Sequence, residues 1–174
     1  MANTYTLISS TTLGSTSQSV TFSSIPSTYT DLAIKMSIRS DRANTWFIPT
    51  IRFNNDSGSN YSWQYIRYDA GSLGGNRSVN QSYGWVGVGT GSTSATNFFG
   101  ISDVYISNYS SSLNKSFTAY GVTANTNSTT HTYTNTGLWR NTSAVSTIVL
   151  DASLESGGNF VSGSSFYLYG ISKS

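Results

Sequence analysis

The sequence contains no cysteine and one histidine, which removes the usual residues of several kinds of chemistry. Without cysteine the chain can form neither disulfides nor thiolate metal sites, and its redox compartment stays open. Charged residues make up only 9% of the 174 positions, and the nine Lys and Arg residues never form a run. A net charge of +2 spread in this way provides no basic patch, so we expect no nucleic-acid partner.

Long apolar runs are also missing. No stretch approaches the ~18 consecutive apolar residues of a membrane span, and the N-terminus lacks the basic region and apolar core of a signal peptide. We therefore expect neither a membrane partner nor secretion by that route. What the chain does have is 37% hydrophobic and 14% aromatic residues. With Ser, Thr, Asn and Gly filling much of the rest, this composition predicts one β-rich domain spanning residues 1–174.

The clearest periodic segment is residues 31–40. Its apolar residues recur every second position, and small, polar or cationic residues lie between them. That period predicts a strand with one buried face, because a helix would scatter the same residues around its circumference. The predicted core residues of this strand are Leu32, Ile34, Met36 and Ile38.

Similar alternation predicts strands throughout the rest of the chain, with Gly, Ser, Asn and Thr clusters between them. Their ranges are 4–9, 19–25, 47–53, 61–68, 83–89, 97–107, 115–123, 132–140, 144–151 and 165–172. Regularly spaced strands without a helical pattern predict an all-β, antiparallel β-sandwich. A jelly roll of eight to ten strands is the natural layout. An immunoglobulin-like sandwich remains the alternative.

Two connections and one proline inside a predicted strand support three further predictions. Residues 54–60 are rich in Asn, Asp, Ser and Gly, which predicts a hairpin turn between the strands at 47–53 and 61–68. Pro49 lies inside the strand predicted at 47–53 and cannot donate a ladder hydrogen bond, so we expect its N–H side to face solvent, at an edge or a bulge. Residues 69–82 show no periodicity, which predicts a surface loop.

The last predicted strand is apolar on both faces. Phe166 and Leu168 alternate with Tyr167, Tyr169 and Ile171. One face suits the core, and the other suits a neighbouring subunit, since a buried Tyr ring can still give its hydroxyl a partner. We therefore predict a subunit interface at Tyr167, Tyr169 and Ile171.

Few residues are candidates for catalysis or metal binding. His131 lies among threonines in a turn-like stretch, where we expect a solvated loop histidine and not a member of a Ser-His-Asp triad. Seven carboxylates could include a glycosidase pair, but Asp at strand ends is common turn chemistry. Asn54, Asn55 and Asp56 could offer oxygens to Ca²⁺, yet one carboxylate makes a weak cage, so we expect a turn. We predict no catalytic residue, metal site or cofactor.

The tryptophans allow a different reading, because sugars stack on exposed indole rings. Trp63 shares a predicted face with Tyr61 and Tyr65, which favours core packing. Trp46 adjoins a predicted loop and is therefore a better candidate than Trp63 for a glycan contact.

Several segments together resemble small virion proteins of tailed bacteriophages, especially phages of cyanobacteria and other aquatic bacteria. They are the opening MANTYTLIS (1–9), VTFSSIP (20–26) with YTDL (29–32), FNND (53–56) followed by Gly58, Asn60 and Tyr61, and the ending FYLYGI (166–171). The resemblance runs across most of the chain and brings no catalytic motif with it.

The resemblance implies a non-enzymatic virion protein, most plausibly a capsid decoration or cement protein on the capsid exterior. The implied partners are the major capsid protein and the chain itself, as a homotrimer, since such proteins are often trimeric jelly rolls. A tail, fibre or spike component that binds host surface glycan is the alternative, with a glycan-cleaving enzyme third. The sequence has no heptads for a fibre stalk, which favours the compact capsid role.

Overall fold

In this computed structural model the described residues are 4–69, 71–124 and 129–172, and fourteen strands run through them. In chain order they are β1 (Tyr5–Thr12), β2 (Ser19–Phe22), β3 (Asp31–Ile38), β4 (Trp46–Phe47), β5 (Thr50–Phe53), β6 (Tyr61–Asp69), β7 (Ser72–Gln81), β8 (Gly84–Trp85), β9 (Gly89–Thr90), β10 (Gly100–Ile106), β11 (Lys115–Ala124), β12 (Thr130–Trp139), β13 (Ile148–Asp151) and β14 (Ser165–Ile171).

These strands form a large sheet, a small sheet and a two-stranded ribbon. The large sheet has eight strands in the order β1-β14-β3-β10-β11-β12-β6-β7, and the small sheet has four in the order β2-β13-β5-β8. β4 pairs with β9 to form the ribbon. Every pairing between these strands is antiparallel, which confirms the predicted all-β antiparallel class. The jelly-roll connectivity stays a prediction.

The core lies between the large and small sheets, and β3 is near the middle of the large one. β3 pairs on one side with β10 and on the other with β14. Its four inward residues are 0–3% exposed and belong to one apolar cluster with residues from the small sheet. The inward side chains of β3 are Leu32, Ile34, Met36 and Ile38. No described segment forms a helix long and apolar enough to cross a membrane.

Two predicted strands are each split. Residues 47–53 contain the end of β4 and all of β5, with Pro49 between them, and residues 83–89 contain β8 and the start of β9. Pro49 is buried, so the prediction that it faces solvent was wrong. It interrupts the ladder because it has no N–H, while its carbonyl accepts a hydrogen bond from the Val86 N–H at 3.0 Å.

The predicted hairpin between residues 47–53 and 61–68 was also wrong in its partners. β5 pairs with β13 and β8 in the small sheet, whereas β6 pairs with β12 and β7 in the large sheet. The turn at 54–60 therefore carries the chain from one sheet to the other. Its local chemistry is as expected, since Asn54 and Asn55 both have positive φ. Turn residues specify that a chain reverses, but burial decides which strand it then joins.

The predicted surface loop at 69–82 is mostly strand. β7 occupies Ser72–Gln81 and pairs with β6 at the edge of the large sheet. Its side chains are exposed or half-buried on both faces, so no burial pattern shaped its sequence. The pairing with β6, and not a hydrophobic period, makes this segment a strand.

Candidate binding face of the large sheet

The outer face of the large sheet is formed by the side chains that alternate with the core residues of β3 and its neighbours. Cross-strand pairing places Tyr167, Lys35, Asp103, Tyr120 and Thr134 in one row across five strands. Most of the exposed large apolar residues of the described chain lie on this face. They are Tyr5, Leu7, Ile66, Tyr68, Leu73, Ile101, Tyr105, Tyr120, Leu138 and Tyr167.

One half of this face carries what we call the tyrosine patch, defined by Tyr5, Tyr105, Tyr120 and Tyr167, whose exposures range from 37% to 53%. Three of these rings, all except Tyr167, line a depression of about 240 Å³. Lys35 and Asp103, which also line it, form an ion pair through Nζ and Oδ2. Because the two charges compensate each other, the patch is aromatic and nearly neutral.

Tyr105 is held in place by a hydrogen bond. Its hydroxyl donates to Asp31 Oδ2 at 2.6 Å, and Asp31 Oδ1 accepts from the Asn108 N–H at 2.7 Å. The bond to the carboxylate, together with burial, raises the pKa of Tyr105 to about 12. The ring is therefore fixed and stays uncharged at neutral pH. By contrast, the Tyr120 hydroxyl has no hydrogen-bond partner among the described residues.

The other half of the face contains what we call the polar groove, which consists of two adjoining depressions of about 420 and 270 Å³. Gln64, Arg77 and Thr136 line both of them. These three residues form a cross-strand row over β12, β6 and β7. Ile66 and Thr134 line the larger depression, and Leu138 lines the smaller one.

The predicted interface residues of the last strand have different exposures. Tyr167 is 37% exposed and Tyr169 is half-buried, with its ring 6.3 Å from that of Tyr5 in an edge-to-face arrangement. Ile171 pairs with Asp31 and is only 9% exposed. Tyr167 is therefore the most accessible of the three to a partner.

Trp46 lies at the margin of a second aromatic cluster, on the inner side of the large sheet. It is half-buried, with the Tyr133 ring at 5.9 Å and the Arg42 guanidinium carbon 5.7 Å from its ring centroid. Trp63 and Trp85 stack at 4.0 Å deeper in this cluster. Trp46 is thus packed against other side chains and does not form an open stacking surface.

His131 is not a solvated loop residue, and that prediction was wrong. It lies in β12 with 4% exposure, and its Nδ1 is 2.6 Å from Asp69 Oδ1. It is buried because the odd-numbered residues of β12 face inward, and the threonines around it concealed that period. A Ser-His-Asp arrangement would need a hydroxyl on Nε2, and none of the described residues supplies one.

Charged and phenolic groups surround His131. Arg67 Nη1 donates to the Tyr133 hydroxyl at 3.2 Å and lies 3.4 Å from Asp69 Oδ2. Burial raises the pKa of Tyr133, which keeps its hydroxyl protonated. The cluster joins β6 to β12 on the inner side of the sheet, where it supports the strands that carry the polar groove.

Asp56 acts as a turn residue. Its carboxylate accepts hydrogen bonds from Trp139 Nε1 at 2.7 Å, Asn60 Nδ2 at 2.9 Å and the Gly58 N–H at 2.8 Å. Burial opposes its ionisation, but these hydrogen bonds outweigh burial and lower its pKa. Asn54 instead bonds the segment at residues 144–147. In the described parts of the chain, no three His, Cys, Asp or Glu residues are grouped for a metal.

Comparisons with known proteins add little to this description. No family model and no curated protein matches the chain. Among solved structures, it is similar to scytalido-glutamic peptidase with a transition state analog inhibitor, at 11% identity and a TM-score of 0.23. The alignment covers 91% of this chain and 66%, just under two thirds, of the peptidase chain. A likeness this slight carries no argument about fold or activity.

Proposed function

We propose that this protein is a non-enzymatic structural component of a bacteriophage particle, a capsid decoration or cement protein bound to the major capsid protein on the capsid exterior. The observation that carries the proposal is the tyrosine patch. Tyr is enriched in protein interfaces and charge is depleted at their centres. Here Tyr120 and Tyr167 flank a compensated Lys35–Asp103 pair on a paired sheet. The resemblance of the sequence to phage virion proteins supports the same role.

The size of the patch suits a protein that acts in many copies. The strands β1, β14, β3, β10 and β11 lie side by side. At a spacing of ~4.8 Å and a length of ~23 Å they cover on the order of 500 Å². A standard interface buries about 800 Å² per partner, so one such contact is modest. Repeated at every equivalent lattice point, modest contacts can together resist the pressure of a packaged genome.

We propose that the chain also self-associates through the β14 side of this surface. Tyr167 belongs to the patch and Tyr169 lies next to it on the outer face, and a symmetric oligomer would cover both by repeating one interface. We expect a homotrimer, which light scattering on the purified chain tests directly.

Capsid retention of variants tests the role of the patch. Capsids that lack the protein are incubated with wild type, Tyr120→Ala, Tyr167→Ala and Leu113→Ala, and then sedimented. Leu113 is the matched control, since it is 67% exposed in the connection between β10 and β11. Both tyrosine variants should bind at least about ten-fold more weakly, as truncated aromatic anchors do, while the control should bind like wild type. Equal retention of all four proteins would refute docking through the patch.

Copy number in purified virions separates the capsid role from a tail, fibre or spike. Quantitative protein staining should give a simple fraction of the amount of the major capsid protein. A ratio many-fold lower would contradict the cement role and favour the tail.

A further inference from the structure

The polar groove contains a cation without an acidic neighbour. Arg77 lines both depressions, and no Asp or Glu lines either of them. Among the described residues its guanidinium forms no ion pair, whereas Lys35 pairs with Asp103 and Arg67 pairs with Asp69. A guanidinium stays protonated and presents a planar fork of donors that matches a carboxylate. The charge of the groove therefore favours an anionic ligand.

Polar side chains that make no hydrogen bond to other described residues surround Arg77. Gln64 and Thr136 lie in its cross-strand row, and Thr134 lies one pair further along β12. These three side chains are exposed and make no hydrogen bond to other described residues. Because they project from paired strands, neighbouring Cβ atoms are about 5 Å apart. The groove thus offers closely spaced donors and acceptors that are free to bind hydroxyl groups.

The floor of the groove is aliphatic. Ile66 is 64% exposed, and Leu138 is 36% exposed. Gly75, the cross-strand partner of Ile66, contributes no side chain, which leaves the face open above it. The larger depression, about 420 Å³, is within the range of small-ligand sites. An open floor of this kind can pack against the C–H faces of sugar rings.

We propose that the polar groove binds an acidic oligosaccharide built from uronic acids. Arg77 receives a carboxylate, Gln64, Thr134 and Thr136 bind hydroxyls, and Ile66 packs against a sugar ring. A protein partner would be expected to use exposed aromatic anchors, and the tyrosine patch supplies those. The aromatic residues at the groove, Tyr65 and Trp63, occupy the inward-facing positions of β6, where both rings stack with Trp85. This ligand-binding function goes beyond the structural role proposed above, and the groove shares only Thr134 with the depression of the tyrosine patch.

Isothermal titration calorimetry on the full chain tests the proposal. The probes are tetramers of galacturonic acid and of mannuronic acid, each compared with its carboxyl-reduced neutral counterpart. We expect at least one acidic tetramer to bind about ten-fold more tightly than its neutral counterpart at low salt. The difference should shrink as salt is added, because the groove is open to solvent.

Two arginine variants test whether Arg77 causes the preference for the acidic tetramer. Arg77→Gln should abolish the preference for the acidic tetramer, whereas Arg140→Gln should preserve it. Arg140 is an exposed cation outside the groove, bonded to Ser59 O and Asn80 Oδ1. Unchanged thermal unfolding of both variants shows that the fold is intact.

Three results would overturn the inference. The first is that neither acidic tetramer binds with a dissociation constant of a few millimolar or less. The others are that acidic and neutral tetramers bind equally, or that the preference for the acidic tetramer survives Arg77→Gln. If Arg77→Gln instead weakens capsid retention, the groove belongs to the docking surface, and the inference fails while the proposed function stands. Uronate binding by a chain that capsids do not retain would overturn the proposed function alone.

Discussion

Replacing Ile34 by Ala tests the register of β3 in the large sheet. Ile34 is fully buried, and its cross-strand neighbours Val104 and Leu168 are 2% and 0% exposed. The change removes three carbon groups from the core, which costs about 2.4 kcal/mol at ~0.8 kcal/mol each. Both neighbours are held by paired strands, so the cavity left by the substitution collapses only in part. Each ~40 Å³ that stays open adds about 1 kcal/mol.

We therefore expect Ile34→Ala to lower the free energy of unfolding by about 3–4 kcal/mol in urea titrations followed by circular dichroism. Lys35→Ala is the control at the next position. The Lys35 side chain is 52% exposed, and its pairing with Asp103 is at the surface. Exposed ion pairs contribute about 0–1 kcal/mol, so this variant should be nearly neutral. Similar losses for the two variants would refute the assignment of inner and outer faces.

Two further changes test local packing and titration. Gly137→Ala should cost about 1–3 kcal/mol in the same unfolding assay, because its new Cβ would overlap the Phe117 ring. Gly14→Ala, with no atom within 4 Å of its Cβ, is the control, and an equally large loss there would contradict the packing argument. Asp56→Asn should destabilise the fold at neutral pH, because hydrogen bonds to the carboxylate lower its folded pKa below the ordinary 3.8. That contribution is present above pH ~4 and is lost as pH falls through the folded pKa, so the two proteins should converge in acid. A pH-independent difference in unfolding free energy would show that the charge of Asp56 is irrelevant.

The sequence predicted the strands that have one buried face. In β3 the period of two alone separates Ile34 from Lys35, because successive side chains of a strand point to opposite faces. The same period locates β11, which was predicted at 115–123 and observed at Lys115–Ala124. Such patterns are readable because burial imposes them residue by residue.

The same logic explains what the sequence concealed. Neither face of β7 is buried, so its residues carry no period and were read as a loop. His131 was misread because the alternating threonines around it resemble a polar turn, although β12 buries every second residue there. Arg77 was not predicted as a site residue because it lies in β7, which was predicted to be a surface loop.

The chain by itself therefore determined the all-β class, the core face of β3 and the turn chemistry at residues 54–60. Only the tertiary structure decided that β5 and β6 belong to different sheets, since pairing depends on burial between distant segments. It also assembled the polar groove, whose row joins Thr136, Gln64 and Arg77 from three strands. No local pattern encodes that row, because the residues become neighbours only after the strands have paired.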